Sequence, residues 1–293
     1  MHVPVLSEEA IEWLAIRPGA VYVDATYGRG GHSARILAGL GAVGRLVALD
    51  RDPEAGADAR QRFGEDMRFE FVHAPFSGLS RIVTERGLGG RVAGLLFDLG
   101  VSSPQLDDPG RGFGFSRDGP LDMRMDPEAG KSAAAWINRA GEREIADVIF
   151  HYGDEHYSRR IARAIVARRG ARAFETTTDL ADVIAHAVPR RERRIHPATR
   201  SFQAIRIFVN DELGELRAAL AASLEVLAPG GRLVVLSFHS LEDRIVKRFM
   251  RDMVRTEPVR LQVVARLIRP DADEIATNPR ARSARLRVAE RPA

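Results

Sequence analysis

The sequence predicts an α/β fold: a mostly parallel sheet with helices on both faces, interrupted by an inserted helical segment. Three observations carry the prediction. Short apolar strands alternate with helical stretches from residue 21 to residue 97, the pattern of crossover units rather than hairpins. A glycine-rich turn, Gly28-Arg29-Gly30-Gly31, directly follows the first strand. Between Asp98 and the strand at Leu233 lie 134 residues, where a simple crossover requires about a dozen.

Taken in order, Ser7 with Glu8 and Glu9 starts a helix carrying acids in its first turn, Ile11, Leu14 and Ala15 give it an apolar face, and Pro18-Gly19 stops it. Strands are expected at 21–23, 46–49, 69–72 and 92–97, with helices from about Ser33, at 53–63 and at 79–86. After a Gly/Asp/Pro-rich loop over 107–127 the pattern turns helical at 132–140, 142–152, 158–169 and 178–187. On the 158–169 helix Ile161, Ala164 and Ile165 share a face opposite Arg159 and Arg163, so one element supplies a core stripe and a basic surface. A long amphipathic helix from Ala198, with Phe202, Ile205, Phe208 and Val209 among its apolar positions, leads back to a strand at 233–236. Segments 261–267 and 284–288 are expected to form an antiparallel pair at the sheet edge.

The chain of 293 residues is 45% hydrophobic, ample for one large or two ordinary domains. It has no cysteine, which excludes disulfides and thiolate metal sites. The histidines lack ligand spacing, so no metal is expected. No apolar run approaches the roughly 18 residues of a membrane span, and the first ten residues contain acids and a proline; a soluble, cytoplasmic protein with no membrane partner is expected. Net charge is +4, but residues 156–206 carry twelve arginines against four acids. That local excess reads either as a solvated basic face or as the footprint of a polyanion such as nucleic acid.

Ligands of open parallel sheets bind beyond the carboxyl ends of the strands. Four expected tips are polar: Asp24 with its glycine loop, Asp50-Arg51-Asp52, the run from Asp98 to Gln105, and the run from Ser237 to Arg244. Gly28 and Asp50 stand 22 positions apart, the spacing at which an acid can accept both ribose hydroxyls of a nucleotide-bearing cofactor. A nicotinamide dinucleotide would want a third glycine where Ser33 stands. The carboxylate of Asp24 ahead of the glycines suits a cofactor with a positive group and no phosphate, which describes S-adenosylmethionine. His239 reads as a base or as a hydrogen-bonded structural residue, and Ser102 and Ser103 also fit a turn before Pro104.

Long motifs then carry a resemblance across nearly the whole chain: HVPVL at 2–6, DATYGRGGHS at 24–33, DRDP at 50–53, DLGVSSPQLDD at 98–108, RDGPLDMRMD at 117–126, HPATRSFQAIRIFVNDEL at 196–213, SFHSLEDRIVK at 237–247 and NPRARSA at 278–284. The chain resembles the bacterial 16S ribosomal RNA cytosine-N4 methyltransferase family of MraW or RsmH type. It departs from the family pattern at Gly114, where Ser is commoner, and in the segment before Asn278. The resemblance implies a Rossmann-like class I S-adenosylmethionine-dependent methyltransferase sheet with an inserted helical domain. The expected division is a methyltransferase domain at 1–105 and 205–293 with a substrate-recognition insertion at 106–204. It implies cofactor contacts at Gly30, Gly31, His32, Asp50, Phe76, Asp98 and Gln105, and a cytidine in the decoding region as target.

A cytosine amine is a poor nucleophile because its lone pair is delocalised into the ring. Acceptors that hold its protons, together with alignment against the methyl carbon, make it competent. Asp98, Ser102 and Ser103 are the candidates, since no proline-proline-aromatic motif is present. Phe113 or Phe115 could stack the extruded base or belong to loop core. Arg159, Arg160, Arg163, Arg190, Arg191, Arg193 and Arg194 are the expected phosphate contacts, on 16S ribosomal RNA within the small subunit. The rival readings are a nicotinamide-dependent oxidoreductase, a non-catalytic RNA-binding or assembly factor that keeps the cofactor fold, and a methyltransferase of another nucleic acid. The sequence leaves the oligomeric state open, a homodimer included.

Overall fold

In the computed structural model, which describes residues 4–189 and 195–293, the strands are Val21–Asp24 (β1), Arg45–Asp50 (β2), Phe69–His73 (β3), Val92–Asp98 (β4), Leu227–Ser237 (β5), Gln262–Val263 (β6) and Arg285–Glu290 (β7). They form one sheet in the order β3-β2-β1-β4-β5-β7-β6. The first five run parallel, whereas β7 is antiparallel to both β5 and β6. The register sets Asp24 beside Ala48 and Leu96, Asp50 beside His73, and Asp98 beside Leu236, so the acidic strand ends share one edge. The chain order reverses between β1 and β4, the switch point at which a crevice opens.

Helices Ser7–Leu14 (α1), Gly31–Gly39 (α2), Pro53–Phe63 (α3) and Leu79–Glu85 (α4) precede the insertion. Ser103–Asp107 (α5), Ala133–Ile137 (α6), Glu142–Gly153 (α7), Ser158–Arg169 (α8), Thr177–Ala187 (α9) and Thr199–Val209 (α10) lie within it. Glu212–Val226 (α11), Ser240–Val254 (α12) and Ala272–Thr277 (α13) complete the chain. Alternate strand residues feed opposite faces of the sheet. Val47, Leu49, Leu95, Phe97 and Val235 pack with Ile82 of α4, Leu216 and Leu220 of α11 and Val246 of α12. Leu46, Leu96, Val234 and Leu236 pack with Ala10 and Leu14 of α1 and Ile36 of α2. Burial on both faces is why these strands read as continuous apolar runs.

The contacts divide the chain into one unit of Met1–Gly100 with Leu213–Ala293 and a second of Val101–Glu212. The second begins earlier and ends later than the expected 106–204, because Val101 at one end and Phe208 and Val209 at the other pack on its own core of Trp136, Ile149, Ile161, Ile165 and Phe202. Three elements differ from expectation. The helix beginning at Gly31 rather than Ser33 follows directly on Gly30, held at φ +66°. The long helix from Ala198 is broken: Asp211 sits at φ 46°, and the buried Asn210 side chain accepts from Met125 N (2.8 Å) and donates to Met123 O (2.8 Å). Only Gln262–Val263 of the segment 261–267 pairs as a strand with β7. No described helix is long and apolar enough to cross a membrane.

Candidate active site

The glycine loop is shaped by two carboxylates with different tasks. Asp24, at the end of β1, is wholly buried; its Oδ2 accepts from Ser33 Oγ (2.7 Å) and its Oδ1 from Thr26 N (3.2 Å). Burial pushes its pKa above the ordinary carboxylate range, with the Ser33 hydroxyl working in the other direction. Both oxygens of Asp24 hold the loop and the start of α2 in place, so its carboxylate has a structural task beside the meeting with a positive group of the cofactor expected of it. Ser33, read as a missing third glycine, is the hydroxyl that makes this possible.

Asp50 is the second anchor. Its Oδ2 accepts from Gly28 N (2.7 Å) and its Oδ1 from Asp52 N (2.9 Å). Each carboxylate oxygen has two acceptor sites, so capacity for ribose hydroxyls remains. Burial pushes its pKa up to about 6 against the pull of those backbone N–H groups. Between the two carboxylates, Tyr27 N donates to Leu49 O (2.8 Å) and Gly30 N to Tyr27 O (2.8 Å). A Cβ on Gly30 would lie 2.5 Å from the Tyr27 hydroxyl, which itself donates to Asp58 (2.7 Å). Glycine is required there by both backbone angle and space.

His32, the second residue of α2, is buried with its Nε2 3.4 Å from Asp98 Oδ2, at the end of β4. Burial alone would lower its pKa, but the Asp98 and Asp24 carboxylates outweigh it and hold the value above that of ordinary imidazole. Asp98 N donates to Thr26 Oγ1 (2.6 Å), which ties β4 to the glycine loop. With Nε2 directed at Asp98 Oδ2, the His32 Nδ1 and the Asp98 Oδ1 are left buried without a hydrogen-bond partner. Unsatisfied buried groups cost about 1–3 kcal/mol each, so a donor–acceptor pair of this kind calls for a ligand. A cofactor bearing an ammonium, a carboxylate and a sulfonium fits a buried acceptor beside an imidazole, and the glycine turn, with Gly28 and Gly30 at positive φ, provides close backbone approach. Phe76 opens the turn after β3 and sets its ring edge-on to Phe97 at 5.8 Å.

At the end of β5, His239 caps α12: Glu242 N donates to its Nδ1 (3.4 Å), while buried Glu242 accepts from Phe238 N (2.8 Å). This is the structural role rather than that of a base.

The remaining candidates belong to the second unit. Ser102 and Gln105 form a capping box at the start of α5, in which Ser102 N donates to Gln105 Oε1 (2.9 Å). Ser103 is the first residue of that helix. Phe113 is buried, and Phe115 packs between His196 (4.8 Å) and Phe202 (4.6 Å), so both rings belong to the core of this unit. Arg159 and Arg160 are exposed on α8, and Arg163 lies 3.7 Å from Glu142. Arg168 is neutralised by Asp179 (2.7 Å), so the basic excess is smaller than the count suggests. Arg190, Arg191, Arg193 and Arg194 lie outside the described residues.

Known proteins resemble this chain over its whole length. The model of the MraW methylase family matches residues 1–292. A protein of Thioalkalivibrio sulfidiphilus named ribosomal RNA small subunit methyltransferase H is 58% identical, covering 99% of this chain and 97% of its own. Proteins of the same name from Nitrosococcus oceani and Coxiella burnetii are 56% and 53% identical, each over 99% of this chain and over 96% and 98% of their own. With this agreement over full length, and a glycine loop closed by Asp24, Asp50 and Asp98, the chain belongs to the MraW methylase family.

Proposed function

We propose that the protein is an S-adenosylmethionine-dependent methyltransferase that modifies the N4 amine of a cytidine in the decoding region of 16S ribosomal RNA, acting on the small subunit in the cytoplasm. The observation that carries this reading is the buried, unsatisfied pair of His32 and Asp98 at the strand tips, in a chain whose full-length relatives are named as small-subunit ribosomal RNA methyltransferases.

The cofactor, when bound, supplies an electrophilic methyl group on a sulfonium. The chain does the rest. Gly30 and Gly31 let the backbone come close, Asp50 holds the ribose hydroxyls, and the Phe76 ring shapes the cofactor's surroundings; Gln105 is a further contact that the family resemblance implies. The open oxygen of Asp98 accepts a hydrogen bond from an amino proton, which draws the nitrogen lone pair out of conjugation with the ring; once nitrogen has bonded the methyl carbon and sulfur has left with its electron pair, that same proton passes to the carboxylate. Ser102, which caps α5, and Ser103 are the other candidate acceptors. Arg159, Arg160 and Arg163, with Arg190, Arg191, Arg193 and Arg194, hold phosphates and position the RNA without reading its sequence.

Incubation with isotopically labelled S-adenosylmethionine and small subunits or 16S RNA, followed by nucleoside mass spectrometry, tests the reading. N4-methylcytidine is expected. Label on another base, on DNA alone or on nothing overturns it.

A further inference from the structure

Helix α12 and the β6–β7 edge enclose a cavity of about 680 Å³. Its floor is apolar, formed by Met250, Val254, Val263, Leu267 and Val288, and two of these are well exposed: Val254 at 38% and Val263 at 54%. Its rim carries Lys247, Arg251 and Arg255, all exposed. Spaced four residues apart, Lys247 and Arg251 on α12 and Arg255 at its C-cap stand on one face, a ladder of positive charge with a repeat of about 6 Å.

Little on the helix cancels this charge. Arg251 is met by Asp252 (2.7 Å), while Lys247 and Arg255 have no partner among the described residues. Of the other acids, Asp243 is buried and clamped by Arg285 (2.6 Å) and Arg287 (2.7 Å) of β7, which fixes α12 on the sheet, Glu242 is buried in the helix cap, and Glu257 is exposed just beyond Arg255. The ladder therefore stands on a helix fixed to the sheet, and of its three charges only Arg251 is engaged, by an exposed neighbour.

We infer that this cavity is a second RNA contact surface, carried by the sheet-bearing unit itself, which takes a single-stranded segment of the substrate RNA away from the modified nucleotide. The charge is complementary to a phosphate backbone. The apolar floor suits an unstacked base, which a duplex would not offer. The inference rests on the ribosomal RNA methyltransferase reading.

The test is a triple variant, Lys247→Ala with Arg251→Ala and Arg255→Ala, titrated with a 16S ribosomal RNA transcript at several salt concentrations. Arg287 is left in place because it pairs with Asp243. Loss of three contacts should flatten the log–log salt dependence by roughly 2, at about 0.7 per phosphate of a single strand. The apparent KM for RNA should rise, with kcat and S-adenosylmethionine affinity unchanged. The charge-preserving exchanges Lys247→Arg, Arg251→Lys and Arg255→Lys should restore the slope, which separates lost charge from damaged folding. Val263→Glu, on an exposed edge, should weaken RNA binding without change in thermal stability.

An unaltered slope and KM in a wild-type background that methylates RNA overturns the surface and leaves the function standing. So does a change confined to sedimentation mass, which would mark a protein contact. A wild-type chain that neither binds nor methylates ribosomal RNA overturns the function instead.

Discussion

Asp50 couples the shape of the glycine loop to proton concentration, because the same carboxylate that anchors Gly28 titrates at about 6. Its pKa is raised above the unfolded value of about 3.9, so between those two values the folded state binds more protons and stability falls as pH rises. Cofactor binding runs the other way, since the ionised oxygen is the better acceptor. Calorimetry with S-adenosylmethionine should show affinity rising from pH 5 to 7.5, and Asp50→Asn should flatten that rise and lose roughly 1.5–3 kcal/mol at the upper end. A second expectation concerns Asp98, whose free oxygen faces no protein donor. Asp98→Asn should reduce kcat at saturating cofactor more than it reduces affinity, and equal losses in steady-state kinetics and calorimetry would make it a binding residue only. At this scale the sequence showed where carboxylates stand but not where their lone pairs point. Asp24 and Asp50 both end strands and precede polar loops, and each accepts one hydrogen bond per oxygen, yet Asp24 is wholly buried while Asp50 keeps a partly exposed edge. His32 had no signal of its own beyond the motif around it, because its importance comes from β4, which is distant in sequence.

Helix α12 is fixed to β7 by a single buried carboxylate between two arginines. Burial opposes the charge on Asp243, but Arg287 and Arg285 more than offset it and hold the carboxyl below its usual range. Its stabilisation is therefore complete above the unfolded pKa and is lost as pH falls through the folded one. Asp243→Asn should cost about 2–3 kcal/mol at pH 7, below the roughly 3–5 kcal/mol of a fully buried pair because Arg285 is partly exposed. Denaturant melts should show the gap to wild type narrowing below about pH 4. Elements were most legible where periodicity and caps agreed: Pro53–Phe63 begins with Asp52 accepting from Glu54 N, and the pattern marks both ends. They were least legible where a side chain from far away intervened. Nothing local in the stretch from Ala198 reveals that Asn210 will bond to Met123 and Met125 and end the helix. The edge strand β6 is short because its ladder is interrupted: after Val264 N donates to Val288 O (3.3 Å), pairing with β7 resumes only at Ile268 and Leu286.

At the level of the whole molecule, the insertion was visible as a surplus of chain between β4 and β5, two strands that pair directly. Its limits were not, because packing rather than composition decides where Val101 and Val209 belong. The exposed arginines of α8 are open to a polyanion. Arg159→Ala with Arg160→Ala should flatten the salt dependence of RNA binding by about 1.4–1.8, at 0.7 to 0.9 per contact, with cofactor affinity unchanged; a filter-binding series at four salt concentrations checks it. The same connectivity shapes how the protein is made. As the chain leaves the ribosome, β1 to β4 emerge first, and β4, the apolar segment VAGLLFD, has a partner on one side only. Its other edge stays open until the entire inserted unit has been translated and β5 follows. At about 5–20 residues per second that is a wait on the order of ten seconds, during which a nascent chain displays a sticky, unpaired strand to its neighbours on the same message.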